Sequence, residues 1–400
     1  MRSTETAGNT TRKREILTFI TYAVCFTSLG LAMAEQGPML PFLADLADVS
    51  IAKISFIFTA NNLGYMIGSA GGGRLYDRFK GHRLMVLALV VMAVAGLLTP
   101  LVSQYALLLL VFFLLGLGMG LVDVGANVHL LWVFQSRVGP YMNALHFFFG
   151  LGSFLAPIIL TNVMTFAGGA ITWPFWVLSI LFLPGLIGLV SLPSPTNPEA
   201  HAESKTTKKP DARLIVLMIM LFFLYVSIEG GYGGWIFTYA TGVGIANDTT
   251  ASYINSMYWG ALTLGRLIAV PLARKIKPSV MLIGNFVLSL LFLAVILIWP
   301  VSPTMIWIGS AGLGLALSSV FPTLLALGET RLKITGAVTG LFFLGSSLGG
   351  TIVPMLLGQI YEFVGSYQLM LTLFGLTCAG LIVLISMILA SNRVGEKTRV

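Results

Sequence analysis

Residues 193–213, PSPTNPEAHAESKTTKKPDAR, are the one long polar stretch in a chain of 400 residues that is 56% hydrophobic and 10% charged. Proline, serine, threonine and mixed charge mark it as a linker. On either side the chain is apolar in runs of about 20 residues, the length that crosses a hydrocarbon core of about 30 Å. Soluble domains carry about 25% charged residues, so this composition, with a mean hydropathy of +0.91, excludes a soluble enzyme, a nucleic-acid partner and a disulfide scaffold. Six apolar segments precede the linker, near 15–42, 52–76, 83–102, 105–131, 139–165 and 172–192. Six follow it, near 213–241, 250–273, 279–299, 303–327, 335–361 and 367–391. The expectation is an all-α membrane protein of twelve transmembrane helices in two six-helix bundles, 1–192 and 213–400, joined by a cytoplasmic linker at 193–212.

Charge orients these spans. With the N-terminus inside, the cytoplasmic side receives 22 of the 23 lysines and arginines, and only Lys53 falls outside. That asymmetry is the positive-inside pattern, and it counts Arg266 among the cytoplasmic basic residues together with Arg274, Lys275 and Lys277. Both termini are then cytoplasmic, in a cell membrane read as a bacterial inner membrane. The run after Arg12, Lys13 and Arg14 has no small-residue cleavage site and reads as a retained first span. Cys25 and Cys378 lie in the first and last runs and read as small buried or lipid-facing hydrophobes.

The halves echo each other. Gly116 and Gly118 of LGLGMGLVD return 196 residues later as Gly312 and Gly314 of AGLGLALSS, which makes Ser319 the counterpart of Asp123. Phe147 and Phe148 return 195 later, Pro157 returns 197 later as Pro354, and Glu35 returns 194 later as Glu229. Two copies with one orientation predict a pseudo-twofold axis along the membrane normal with a cavity between the copies.

At these residues a family resemblance emerges. Six plus six spans, a central linker and GGGRLYDRFKGHR (71–83) resemble the major facilitator superfamily. GPMLPFLADLADVS (37–50), NNLGYMIGSAGGGRLYDR (61–78), VDVGANVHLLWVF (122–134), NALHFFFGLGSFLAP (143–157) and EGGYGGWIFTYATG (229–242) resemble its sodium-dependent glucose transporter-like branch, related to fucose permease. The resemblance implies alternating access by two rocking halves and a hexose such as glucose as substrate. It also implies gating by Asp77, Arg78 and Arg83, which latch the cytoplasmic helix ends.

Ionisable residues inside spans carry the chemistry, because a carboxylate near the bilayer centre costs about 2.5–3.5 kcal/mol and needs a cavity, a proton or a partner. Three acids lie deep in spans, Glu35, Asp123 and Glu229, and the linear sequence offers no lysine or arginine at their depth. Asn127 follows Asp123 by four residues on one helical face, so a carboxylate and an amide oxygen together suit Na⁺, while the carboxylate alone suits H⁺. Glu35 and Glu229, with Tyr232, Trp235 and Tyr239 beside the latter, suit sugar hydroxyls and ring faces. GGYGG (230–234) would let that helix break. Asn61, Asn143 and His146 are further candidate sugar contacts, and His82 and His129 carry little signal.

No nucleotide loop, His/Cys metal set or Ser–His–Asp constellation is legible, so neither catalysis nor a bound cofactor is expected. The expectation is a monomeric secondary transporter for a sugar, in symport with Na⁺ and with H⁺ as second choice. A proton-coupled exporter of amphipathic compounds is the alternative, and a non-transporting receptor a distant third.

Overall fold

A computed structural model describes the backbone of residues 2–195, 212–331 and 336–397. Side chains are described for the same residues except 2–11, 77, 336–337 and 392–397. Most of the linker, from 196 to 211, therefore lies outside the described residues.

The described chain is helical, and its helices make twelve passes. The first is α1 (Arg2–Ala34) with α2 (Gln36–Leu46), and the second α3 (Ile51–Ile54) with α4 (Phe56–Arg78). Then follow α5 (Gly81–Leu98), α6 (Tyr105–Phe134), α7 (Val138–Phe166), and α8 (Thr172–Ile180) with α9 (Leu183–Ser191). Beyond the linker come α10 (Ala212–Gly242), α11 (Asp248–Ala273) and α12 (Pro278–Ile298). Next are α13 (Pro303–Leu317) with α14 (Val320–Arg331), α15 (Gly336–Phe363) and α16 (Ser366–Lys397).

Among the described residues nine stretches are long and apolar enough to cross a bilayer, one of which, Tyr105–Phe166, holds both α6 and α7. The two passes missing from them are α4 and α11. Both are long enough, at 23 and 26 residues, but Asn61, Asn62 and Arg74 dilute the first and Asn255 and Arg266 the second. These are the passes whose polar residues meet the buried acids.

Prolines follow three of the helix breaks. Proline offers no N–H to the carbonyl four residues back and its ring crowds that carbonyl. Pro38 points back to Ala34, where α1 ends; Pro184 to Ile180, where α8 ends; Pro322 to Ser318, just past α13. The GGYGG segment, which would let its helix break, lies within a continuous α10. It holds no proline, and its glycines take up close contacts. A Cβ on Gly233 would strike the Trp259 ring, one on Gly234 would press on Phe58, and one on Gly231 would press on Leu357 and Leu373.

The residues form two compact units, Met1–Glu35 with Ala60–Ser204 and Gln36–Thr59 with Lys205–Val400. The grouping departs from the covalent halves drawn at the linker, since 36–59 packs with the second unit. There α15 presents one face to it. Glu362 Oε2 accepts from Ala52 N–H at 2.7 Å, Gln359 Nε2 donates to Ala52 O at 2.8 Å, and Thr59 Oγ1 donates to Thr351 O at 3.0 Å.

Within each unit small residues let helices cross closely. In the first, Gly152 of α7 meets the backbone of Thr27 and Leu31 in α1; in the second, Gly349 of α15 meets Phe223 and Ser227 of α10. The glycine contacts also correct the repeat register of the fourth and tenth passes. Gly118 faces Met92 of α5 and Gly312 faces Phe292 of α12, whereas Gly120 faces Tyr65 of α4 and Gly314 faces Tyr258 of α11. Equivalent neighbours thus pair 118 with 312 and 120 with 314, an offset of 194 and not 196. Asp123 then corresponds to Leu317, not Ser319. Glycines at every second position leave the two registers indistinguishable in the sequence.

Candidate functional site

In the first unit the site is built on α6. A 3.6-residue period sets Asp123 on the face opposite the exposed Leu107, Leu110 and Leu114, so its carboxylate points away from lipid and toward α4. Tyr65 of α4 donates its hydroxyl to Asp123 Oδ2. Asn127, one turn on, donates Nδ2 to Asp123 Oδ1 at 2.8 Å and to its carbonyl at 3.0 Å. Both carboxylate oxygens are therefore held, and held by uncharged donors. The expected Asp123–Asn127 pair is formed, but with the amide nitrogen toward the acid where a cation would need the amide oxygen. Tyr65 escaped the sequence reading because its partner lies 58 residues away on another helix.

Asn61 is buried and its amide donates to Phe112 O at 3.3 Å and to Met119 Sδ at 3.8 Å, so it joins α4 to α6. Asn143 and His146 lie on an accessible face of α7, and the His146 ring meets Phe26 edge-on at 5.6 Å. Glu35 is the turn residue between α1 and α2, 3% exposed, and its carboxylate makes no hydrogen bond or ion pair among the described residues.

Near the start of α5, His82 and His129, dismissed on sequence, come together. Their rings lie 5.8 Å apart, Tyr22 Oη bonds His82 Nε2 at 2.8 Å, and the Tyr76 ring packs on His129 at 5.2 Å. His82 Nδ1 is 3.0 Å from Leu192 O, which ties α5 to the end of α9. Arg78 and Arg83 are exposed, and the Asp77 side chain lies outside the described residues.

The second unit corrects the charge inventory. Arg266 of α11, counted from sequence with the cytoplasmic basic residues, reaches Glu229 Oε1 of α10 at 3.5 Å. Tyr225, one turn before Glu229, donates to the same oxygen at 2.7 Å, and Tyr258 of α11 donates to the Glu229 carbonyl at 2.9 Å. Glu229 thus has a basic partner at its own depth. Position was the available signal: Arg266 lies 18 residues along the 26-residue α11, well short of its end. The candidate aromatics beside Glu229 are all fully buried. Tyr232 bonds Ser310 Oγ at 2.6 Å and Trp235 Nε1 donates to Pro354 O at 2.9 Å, whereas the Tyr239 hydroxyl has no partner among the described residues. They pack inside the unit and form no interfacial belt.

No group of three or more His, Cys, Asp or Glu side chains among the described residues makes a metal-binding cluster. What the two acids can do differs: Asp123 can accept a monovalent cation or a proton, and Glu229 with Arg266 can offer an acceptor and donors side by side.

Known proteins agree with this architecture. The chain is 30% identical to sodium-dependent glucose transporter 1 of Danio rerio, over 88% of this chain and 66% of that one. It is 28% identical to the Xenopus laevis protein of the same name, over 82% and 73% of the two chains. Major facilitator superfamily domain-containing protein 4A of Homo sapiens is 25% identical, over 89% and 88%. Among solved structures, the nucleoside transporter NupG superposes with a TM-score of 0.76 at 14% identity, covering 93% of this chain and 99% of that one, which establishes the fold. The Major Facilitator Superfamily model matches residues 18–354, and with its twelve passes and membrane-embedded acids this multi-pass membrane protein belongs to that family of transporters.

Proposed function

We propose that the protein carries a hexose such as glucose across the membrane by alternating access, in symport with Na⁺ and with Asp123 as the coupling group. The observation that carries this reading is the Asp123 environment. A carboxylate inside a span is held by Tyr65 and Asn127 alone, so its charge has no basic partner among the described residues. A monovalent cation or a proton would supply the missing charge. Hard cations prefer oxygen ligands, and Asp123 Oδ1, Asp123 Oδ2 and Tyr65 Oη are already grouped; rotating the Asn127 amide would add a fourth. Glu229 is a poorer coupling candidate because Arg266 already balances it.

The relatives named sodium-dependent glucose transporters favour a sugar and Na⁺. Glu229, Glu35, Asn143 and His146 are the side chains proposed to contact the sugar. Tyr232, Trp235 and Tyr239 support them from within the packed unit, and Asp77, Arg78 and Arg83 gate the path. The proposed setting is a monomer in the cell membrane with both termini cytoplasmic and no cofactor beyond the coupling ion. One cation moving down 100 mV supplies about 2.3 kcal/mol, enough to concentrate a neutral sugar by about fiftyfold.

The test is uptake of labelled glucose into proteoliposomes under an inward Na⁺ or an inward H⁺ gradient. Stimulation by Na⁺ that vanishes in Asp123→Asn is the expected result. Stimulation by H⁺ alone would replace the ion and keep the sugar. No uptake of any hexose by folded protein would overturn the reading in favour of proton-coupled export.

A further inference from the structure

Arg266 has no role in the account so far beyond balancing Glu229. Its placement gives it more. Along α11, residues 255, 259, 262 and 266 recur at helical spacing on one face, where Asn255, Trp259 and Leu262 are buried. The opposite face carries Leu264, Leu267 and Ile268, all exposed as lipid-facing residues are. Arg266 therefore starts from the face opposite the lipid-exposed leucines, and its side chain is 24% exposed beside a Glu229 that is 12% exposed.

The bonding is lopsided. Arg266 and Tyr225 both engage Glu229 Oε1, while Oε2 accepts no hydrogen bond among the described residues. A guanidinium carries five N–H donors in a planar fork, and its contacts to Glu229 Oε1 and to Tyr225 use only part of that capacity. Side by side lie an open anionic acceptor and open cationic donors.

We propose that Arg266 is a substrate-contacting, specificity-determining residue, which together with Glu229 receives two neighbouring hydroxyls of a neutral sugar. One hydroxyl donates to Glu229 Oε2 and the next accepts from the guanidinium. The inference rests on the sugar reading and deepens it to a charge filter. An anionic sugar that captured Arg266 would strand Glu229, and a cationic amino sugar that captured Glu229 would strand Arg266. A buried charge without its partner is costly, so only the neutral diol leaves the pair intact.

The experiment measures uptake of glucose, glucuronate and glucosamine by wild type, Arg266→Gln and Glu229→Gln in proteoliposomes. Wild type should take up glucose alone. Arg266→Gln should raise the glucose KM by about tenfold, the scale of one charge-assisted hydrogen bond, and admit glucosamine. Glu229→Gln should admit glucuronate. Such a switch of preference by sign is not something a merely structural pair would produce.

Variants that keep wild-type glucose KM and preference overturn the inference alone. So do variants that lose glucose while still excluding both charged sugars. No hexose uptake by wild type overturns the sugar reading and this inference together. Should either single variant fail to fold, the double variant Glu229→Gln with Arg266→Gln strands no charge. It should still transport glucose, with a raised KM and with discrimination against charged sugars weakened; full wild-type discrimination in it overturns the proposal.

Discussion

Asp123 in the first unit and Glu229 in the second are both acids inside membrane spans, yet their surroundings solve the same electrostatic problem in opposite ways. Asp123 is held by a phenol and an amide, which satisfy its hydrogen bonds and leave its charge. Glu229 is held at one oxygen by a phenol and a guanidinium, which balance its charge and leave Oε2 without a hydrogen bond among the described residues. In water the distinction would be small. In a low-dielectric interior an uncompensated charge is expensive, so the first arrangement is tolerable only where a mobile cation completes it. One acid is open to an ion and the other is closed to it, and the corrected repeat register, which sets Leu317 opposite Asp123, leaves the second unit no copy of the open one.

The contrast breaks most visibly if the wrong acid couples transport. Asp123→Asn should reduce gradient-driven accumulation from about fiftyfold to about equilibrium, since a neutral amide cannot carry the cation. Exchange of labelled for unlabelled sugar should survive, because it needs no net ion movement. Accumulation that persists in Asp123→Asn but fails in Glu229→Gln would reverse the assignment.

Next in size is stability. Arg266→Leu leaves Glu229 buried beside only a hydroxyl, and removing one member of a buried ion pair costs about 3–5 kcal/mol. The thermal midpoint in detergent should fall clearly, and adding Glu229→Gln should recover most of the loss. Asp123→Asn should move that midpoint little, because no opposite charge is stranded. Equal falls in both variants would erase the distinction between the two sites.

A third, smaller effect separates the two tyrosines. Tyr65→Phe removes one donor from an acid that must keep its charge, and a hydrogen bond to a charged group contributes about 1.5–3 kcal/mol. The ion concentration for half-maximal uptake should shift by about tenfold or more. Tyr225→Phe should shift it much less, since Arg266 still holds Glu229.

These sites were unequally legible. Ten of the twelve passes follow from hydropathy and length because lipid imposes both, while α4 and α11 meet the length but are diluted by polar residues. Asp123 with Asn127 was legible because a four-residue spacing puts two side chains on one helical face whatever the fold. Tyr65 and Arg266 were not, because helix-to-helix neighbours depend on how helices cross, and no local pattern encodes that. Arg266 was misplaced for a further reason: hydropathy and the positive-inside pattern count charges by segment and are blind to which way a long side chain turns. The GGYGG segment, which would let its helix break, shows the same limit. Glycine permits a bend but does not compel one, whereas Pro38 removes a hydrogen bond and ends α1 at Ala34. His82 and His129, 47 positions apart, became neighbours only when α5 packed against α6.

The finest test of the open acid concerns Asn127. As placed, it offers Asp123 its Nδ2, an arrangement that suits an ionised carboxylate awaiting a cation and equally one awaiting a proton. The two ions then make different demands. Na⁺ draws on oxygen, so its arrival should turn the amide and recruit Oδ1 as a ligand; a proton settles on Asp123 and asks nothing of Asn127 beyond one bond. Asn127→Leu removes the oxygen and keeps the bulk. If Na⁺ is the coupling ion, half-maximal uptake should need several times more Na⁺, about the effect of a single neutral hydrogen bond or ligand. If H⁺ is the coupling ion, uptake by Asn127→Leu should stay independent of Na⁺, because a proton asks for no amide oxygen. A raised Na⁺ requirement would assign the amide oxygen to the cation.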